Sequence, residues 1–265
     1  MVPIRDHNPA RSVPFVNYML LATNIAVFLS YWHLFQNDRA LMAFYWDWAV
    51  IPARVTELEA LHTMVTSMFL HGGFMHLAGN MLFLFVFGDN LEDQLGHFGY
   101  LVFYLACGFA AAAAQVFTDP GSMIPMVGAS GAIAGVMGGY MLLFPRARID
   151  VFFFFIIFFK IIPIPAWVVL GIWFGLQLFN GLAADPSMGG VAYWAHAGGF
   201  MVGVLLMLPV FARLVGPLFW KRAGGHPPNP EARYRVVRSH VPKTRGRPVQ
   251  TIRSSVPMTR GRPRR

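Results

Sequence analysis

The sequence predicts an all-α integral membrane protein, a bundle of six transmembrane helices with its N- and C-termini in the cytoplasm. Composition is the first reason: of 265 residues, 56% are hydrophobic and only 12% are charged, with a mean hydropathy of +0.51. A soluble domain carries about 25% charged residues, so this chain lacks the polar surface to cover a compact particle in water. The spacing of charge is the second reason, since it leaves six uncharged stretches near the ~20 residues that a spanning helix needs. The third is the side on which Lys and Arg fall. A single cysteine, Cys107, excludes an intramolecular disulfide framework and any multi-cysteine metal site.

Taken in order, the apolar runs are 15–35, 63–88, 98–117, 121–145, 161–184 and 193–212. The second carries His71, His76 and Asn80, and the fourth opens in a polar, glycine-rich stretch. Residues 151–159, VFFFFIIFF, lie between Asp150 and Lys160. They are too few to span as a helix and read as a buried or interfacial connector, with a seventh crossing as the lesser alternative. Arg5 and Arg11 precede the first run, Arg146, Arg148 and Lys160 separate the fourth from the fifth, and Arg213 follows the sixth. Six crossings put all of these on one side, which the positive-inside rule makes the cytoplasm. The loop 36–62 then faces outward, and its Tyr45, Trp46 and Trp48 suit an interfacial aromatic belt. No small-residue cleavage site follows the first run, so it reads as a retained anchor rather than a signal peptide. The plan is therefore a cytoplasmic segment 1–14, a membrane domain 15–220 and a tail 221–265 in a multi-pass protein; a bacterial inner membrane is the expected location.

The tail explains the net charge of +9. Residues 221–265 hold 13 of the 21 Lys and Arg and one acid, Glu231, whereas residues 1–220 hold 8 basic and 11 acidic residues. The membrane domain is slightly acidic, and the basic character belongs to a Pro-, Gly- and Arg-rich segment expected to be disordered. It repeats itself, RSHVPKTRGRP at 238–248 and RSSVPMTRGRP at 253–263. Arg-Gly-Arg-Pro could lie in a DNA minor groove, but adjacency to the membrane favours anionic lipid headgroups, each charge contributing about 1 kcal/mol near the surface. Nucleic acid is not the expected partner.

Polar groups inside membrane spans are costly, so each asks for a reason. Three clusters stand out: HGGFMHLAGN with His71, His76 and Asn80; Gly128-Ala129-Ser130-Gly131; and Trp194-Ala195-His196-Ala197-Gly198-Gly199. Residues three, four and seven apart share a helix face. From His196 that face holds Gly199 and Gly203, and from Ser130 it holds Ala134 and Gly138, with Gly131, Gly135 and Gly139 alongside. Small residues at these spacings let membrane helices approach closely. If the two faces pack together, a hydroxyl meets an imidazole, the nucleophile–base pair of acyl transfer; if not, these are ordinary packing residues. His76 and Asn80, four apart, could both donate to an oxyanion, as could the Ser130 amide at a helix start. No Asp or Glu lies in the Ser130 or His196 cluster, so a dyad is the simpler reading. There is no His-Glu-x-x-His for zinc, and Ala132 breaks the G-x-S-x-G elbow. A transporter stays open, because broken glycine-rich helices occur there as well. No cofactor or metal is expected.

Over about residues 60–205 these clusters resemble the rhomboid family of intramembrane serine proteases, with Asn80, Ser130 and His196 in that order. The resemblance implies a six-helix bundle with Ser130 as nucleophile and His196 as base. It also implies His76, Asn80 and the Ser130 amide as the oxyanion site, in a water-filled cavity. His71 matches a second family histidine near the cavity, Gly128 the turn before the serine, and Glu92 an acidic position used structurally at the inner end of the second helix. Two positions depart. Some members carry an aromatic residue four after the serine, stacked on the histidine; here it is Ala134, so the resemblance names no orienter for His196. Some carry a Trp-Arg pair where this chain has His62 and Thr63. The implied substrates are transmembrane segments of other proteins, expected to reach the site past the fifth helix and residues 185–190, whose composition suits a mobile cap or, equally, a simple turn. A non-catalytic relative that binds membrane clients is the alternative.

Overall fold

A computed structural model describes residues 2–155, 158–184, 190–214 and 218. The tail repeat and residues 185–189 of the expected cap lie outside the described residues. Four described helices are long and apolar enough to cross a membrane: Phe15–Gln36, Phe74–Thr118, Ala166–Ala183 and Tyr193–Arg213. The protein is an integral membrane protein, mostly helical as expected.

Helix α1 (Phe15–Tyr31) has no capping side chain of its own at its start. The amides of Val16 and Asn17 instead donate to the two oxygens of the Glu92 carboxylate, at 2.9 and 2.8 Å. These amides lack partners within the helix and carry the positive end of its dipole, so a buried anion fits there. His97 Nδ1 lies 2.5 Å from the same carboxylate. Further along α1, Tyr100 donates to Asn17 Oδ1 at 2.9 Å, and Asn17 Nδ2 donates to the Leu84 carbonyl at 3.2 Å.

The loop expected to face outward folds into the short helices α2 (Asp38–Trp48) and α3 (Pro52–Thr56), and α4 (Thr63–Thr66) follows it. Trp46 and Trp48 are exposed, as an interfacial belt needs, and the Arg54 guanidinium sits over the Trp46 ring at 4.4 Å. Tyr45 departs from that expectation. It is buried with Phe28, Tyr31 and Leu77, and its hydroxyl faces the His71 carbonyl at 3.4 Å.

Helix α5 (Phe74–Thr118) runs for 45 residues but breaks at Gly96, whose φ of 69° and ψ of 168° are not helical. A Cβ on Gly88 would lie 2.6 Å from the Tyr100 hydroxyl. Twelve residues of straight helix would hold these positions about 18 Å apart, so the two halves fold back on each other. The apolar run expected to start a helix at 63 starts its long helix at 74, because the chain through Gly72 and Gly73 is not helical.

Helix α6 (Ser130–Leu143) has only 14 residues, about 21 Å, short of the ~30 Å hydrocarbon core. It packs against α5 and α8 (Tyr193–Arg213) and is buried along nearly its whole length. Helix α7 (Ala166–Ala183) buries only Ala166, Leu170 and Gln177.

The all-α expectation is corrected at one place. The described residues of the connector, 151–155 and 158–159, belong to a three-stranded antiparallel sheet of β1 (Val2–Asp6), β2 (Arg148–Phe155) and β3 (Phe158–Pro165), in that order. Val, Ile and Phe favour the pleated surface, and an apolar run without alternation does not distinguish strand from helix. Ile149 and Val151 face the core, while Asp150 between them takes Arg5 at 2.6 Å and His7 at 2.8 Å. Burial disfavours the Asp150 charge, but the hydrogen bonds and charges of Arg5 and His7 outweigh it and hold the carboxyl below its usual range. The fifth helix accordingly starts at Ala166 rather than at 161.

Asp6, at the end of β1, behaves oppositely. Burial first, and the nearby Asp89 second, push its carboxyl up to about 8, although the Tyr140 hydroxyl donates to it at 2.8 Å. The folded protein therefore keeps a proton that the unfolded chain releases near pH 4. The stability this contributes is full below pH 4 and is lost as pH rises towards 8. The melting temperature in detergent should fall across that window, and Asp6→Asn should flatten the fall.

Candidate active site

Three elements deliver the polar clusters to one place. Ser130 is the first residue of α6, behind Gly128, whose φ of +134° is a left-handed conformation that side chains avoid. The Gly128 amide donates to the Ser67 carbonyl at 3.0 Å, which pins the turn. His196 stands in the first turn of α8. Its Nε2 lies 2.7 Å from Ser130 Oγ.

Glycine carbonyls make this approach possible. A Cβ at Gly203 would collide with the Gly135 carbonyl oxygen and lie 2.5 Å from Gly135 Cα, and one at Gly199 would collide with the Gly131 oxygen. The serine and histidine helices thus touch backbone to backbone over successive turns, in keeping with the small-residue faces read from the sequence.

His76 and Asn80 follow one another by a turn on α5 and line the same cavity of about 650 Å³ as Ser130 and His196. The Gly72 amide donates to His76 Nδ1 at 3.3 Å, so a neutral ring carries its proton on Nε2 and presents a donor there. A Cβ on Gly128 would fall 2.9 Å from His76 Nε2 and 3.4 Å from Ser130 Oγ, which places that donor beside the serine turn. Asn80 Nδ2 is buried and has no acceptor among the described residues.

His71 occupies a different position. Fully buried, it meets the His76 ring edge to face at 5.2 Å between centroids. Its amide donates to the Tyr31 hydroxyl at 2.6 Å and its carbonyl accepts from that hydroxyl at 2.9 Å. It anchors the loop before α5 to α1. Glu92 is engaged with the start of α1 and is absent from the cavity lining.

Two neighbours of His196 were missed from the sequence. Gln177 Oε1 lies 2.8 Å from His196 Nδ1, and the Trp173 ring lies 5.8 Å from the imidazole at 33°. Both sit on α7, one turn apart. The signal was present, since Gln177 is a polar residue within an apolar span, but it stands outside the three motifs. Among the described residues no group of three His, Cys, Asp or Glu could hold a metal ion.

The Rhomboid domain model matches residues 58–213, which include every residue of this constellation. The chain is 31% identical over 194 residues to the mitochondrial Rhomboid protein 1 of Saccharomyces cerevisiae, covering 71% of this chain and 51% of that protein. It is 29% identical over 203 residues to the mitochondrial RHOMBOID-like protein 12 of Arabidopsis thaliana, covering 70% and 55%. With Rhomboid protease GluP of Bacillus subtilis it shares 32% over 146 residues, covering 55% and 26%. The chain thus spans about half the length, or less, of these curated relatives. The match runs from the loop before α4 to the end of α8, through Asn80, Ser130 and His196 in that order, and on it the chain belongs to the rhomboid family.

Proposed function

We propose that this protein is an intramembrane serine endopeptidase that cleaves transmembrane segments of other membrane proteins with a Ser130–His196 dyad. The observation that carries the reading is the 2.7 Å contact between Ser130 Oγ and His196 Nε2 at the wall of a cavity that His76 and Asn80 also line. A hydroxyl and an imidazole so placed can transfer a proton directly. Ser130 Oγ attacks the scissile carbonyl carbon as His196 Nε2 takes its proton, and the carbonyl electron pair moves onto oxygen. His76 Nε2–H, Asn80 Nδ2–H and the Ser130 amide, in the unpaired first turn of α6, donate to that oxyanion. Collapse breaks the C–N bond, and the leaving amine takes the proton from His196. Water then attacks the acyl-enzyme with His196 again as base, freeing the acid and restoring Ser130.

The topology of this reading has six crossings, with the halves of α5 counted separately and both termini inside. An α6 too short for the bilayer places Ser130 below the surface, and the irregular chain before it is tolerated at depth where it lines a watered cavity. A substrate helix hides its carbonyls in hydrogen bonds, so cleavage should fall where Gly, Ala, Ser or Pro loosens it. The basic tail 221–265 is assigned to anionic headgroups. The relatives include proteins named for mitochondria and a Bacillus subtilis protease. A bacterial inner membrane is the location we propose. The pairing of Ser130 with His196 favours catalysis over client binding alone.

The test is cleavage of a model transmembrane substrate by the purified protein in proteoliposomes, with products mapped by mass. Wild type should cut within or beside the substrate helix and Ser130→Ala should not; equal cleavage by both overturns the proposal. Asn80→Ala should lower kcat by about 10²–10³-fold, as loss of one oxyanion donor does, with KM little changed.

A further inference from the structure

We propose that Gln177 is a positioning residue for the dyad: its side-chain oxygen accepts His196 Nδ1–H and so keeps the Nε2 lone pair on Ser130 Oγ. The inference rests on the serine-protease reading of the same site and adds the group that sets the base.

A neutral imidazole exists as two tautomers, and only one is a base toward the serine. With the proton on Nε2, the ring would donate to Ser130 Oγ and could not take its hydrogen. Something must therefore favour Nδ1–H. The residue facing Nδ1 is Gln177, with Oε1 at 2.8 Å. A carboxamide could turn either end to the ring, and the amino end would select the wrong tautomer. Here the amino end is committed: Gln177 Nε2 donates to the Trp173 carbonyl, one turn earlier on α7, at 3.2 Å. That leaves the oxygen for His196.

Trp173 contributes a second constraint. Its ring lies 5.8 Å from the imidazole and is tilted by 33°, so it limits rotation of His196 about its Cβ–Cγ bond. One helix turn of α7 thus supplies both an acceptor for the ring's far nitrogen and a cover for its face. Ala134, with a methyl group alone, supplies neither.

The cost of burial points the same way. A polar side chain in a membrane span is expensive unless both ends are satisfied. Helix α7 buries two other residues, both apolar, yet directs its glutamine inward. The acceptor is also neutral. It fixes the tautomer without supplying a counter-charge, and its hydrogen bond strengthens when His196 becomes protonated during attack.

The test compares wild type with Gln177→Met, similar in size and without the acceptor, and with Gln177→Glu, which keeps an oxygen at the same reach. Kinetics on a model transmembrane substrate should give a kcat lowered by about 10- to 100-fold for Gln177→Met, with KM within about twofold. Gln177→Glu should recover most of that loss. Nitrogen-15 NMR of labelled histidine, with His196 assigned by its loss in His196→Ala, should find Nδ1–H in wild type. In Gln177→Met the population should shift towards Nε2–H. Wild-type kcat in Gln177→Met overturns the inference, and so does a loss of kcat with the tautomer unchanged. A wild-type protein that neither cleaves nor reacts at Ser130 counts against the protease reading itself. The tautomer measurement needs no activity and decides the role of Gln177 by itself.

Discussion

His196→Ala should lower kcat on a transmembrane substrate by about 10²–10⁴-fold, the usual contribution of a positioned general base. Nε2 is the group within 2.7 Å of Ser130 Oγ, and an un-ionised serine hydroxyl is a weak nucleophile. The same nitrogen must return the proton to the leaving amine, so both bond-making and bond-breaking lose their catalyst. His196 lies at the start of α8, and the contacts that hold that helix to α6 run through Gly199 and Gly203 further along. KM and the melting temperature should therefore change little. Steady-state kinetics beside a thermal melt separates this outcome from misfolding.

Gly203→Ala should be the most destabilising single methyl addition along the α6–α8 contact, by about 3 kcal/mol or more, at or above the upper range for overpacking a core. The added Cβ would meet the carbonyl oxygen, Cα and carbonyl carbon of Gly135, the last at 2.6 Å. These are backbone atoms of a buried helix and cannot swing aside. At Gly139 the nearest atoms are side-chain carbons of Met207 and Leu91, which have room to adjust. At Gly175 on α7 a Cβ would meet nothing within 4 Å, so Gly175→Ala should be neutral or stabilising by up to about 1 kcal/mol. Pushing α8 away also withdraws His196, about 10 Å along the helix, from Ser130. Activity should then fall with stability, since a misplacement of about 1 Å can cost 10²-fold. Melting temperature and cleavage rate of the two alanine variants, measured side by side, check both parts.

Much of this arrangement was legible in the residues because the forces that build it are local or periodic. A run free of charge marks α1 and α8 to within a few residues. Glycines three and seven residues after His196 mark a face that can approach another backbone, and the structure brings that face onto α6. The sheet was not legible. VFFFFIIFF lacks the alternation that identifies a strand, and its partners include residues 2–6, far away in sequence. The reversal at Gly96 was legible, since it falls in the charged gap 89–97 between the second and third runs, but the continuation of the helix through Asp89, Glu92 and Asp93 up to it was not. Tyr45 looked like a belt residue because its burial depends on the His71 loop, which periodicity does not describe. Gln177 was passed over because it lies outside any motif, and its importance comes from Nδ1 of a histidine on another helix.

The central claim is that Ser130 is a nucleophile activated by His196. The most direct measurement is covalent labelling of the purified protein by a fluorophosphonate, located by mass spectrometry of the digested chain. Wild type should carry one adduct, on Ser130, and His196→Ala should label at a rate lowered at least tenfold. An adduct on another residue, or equal labelling of wild type and Ser130→Ala, would contradict the claim.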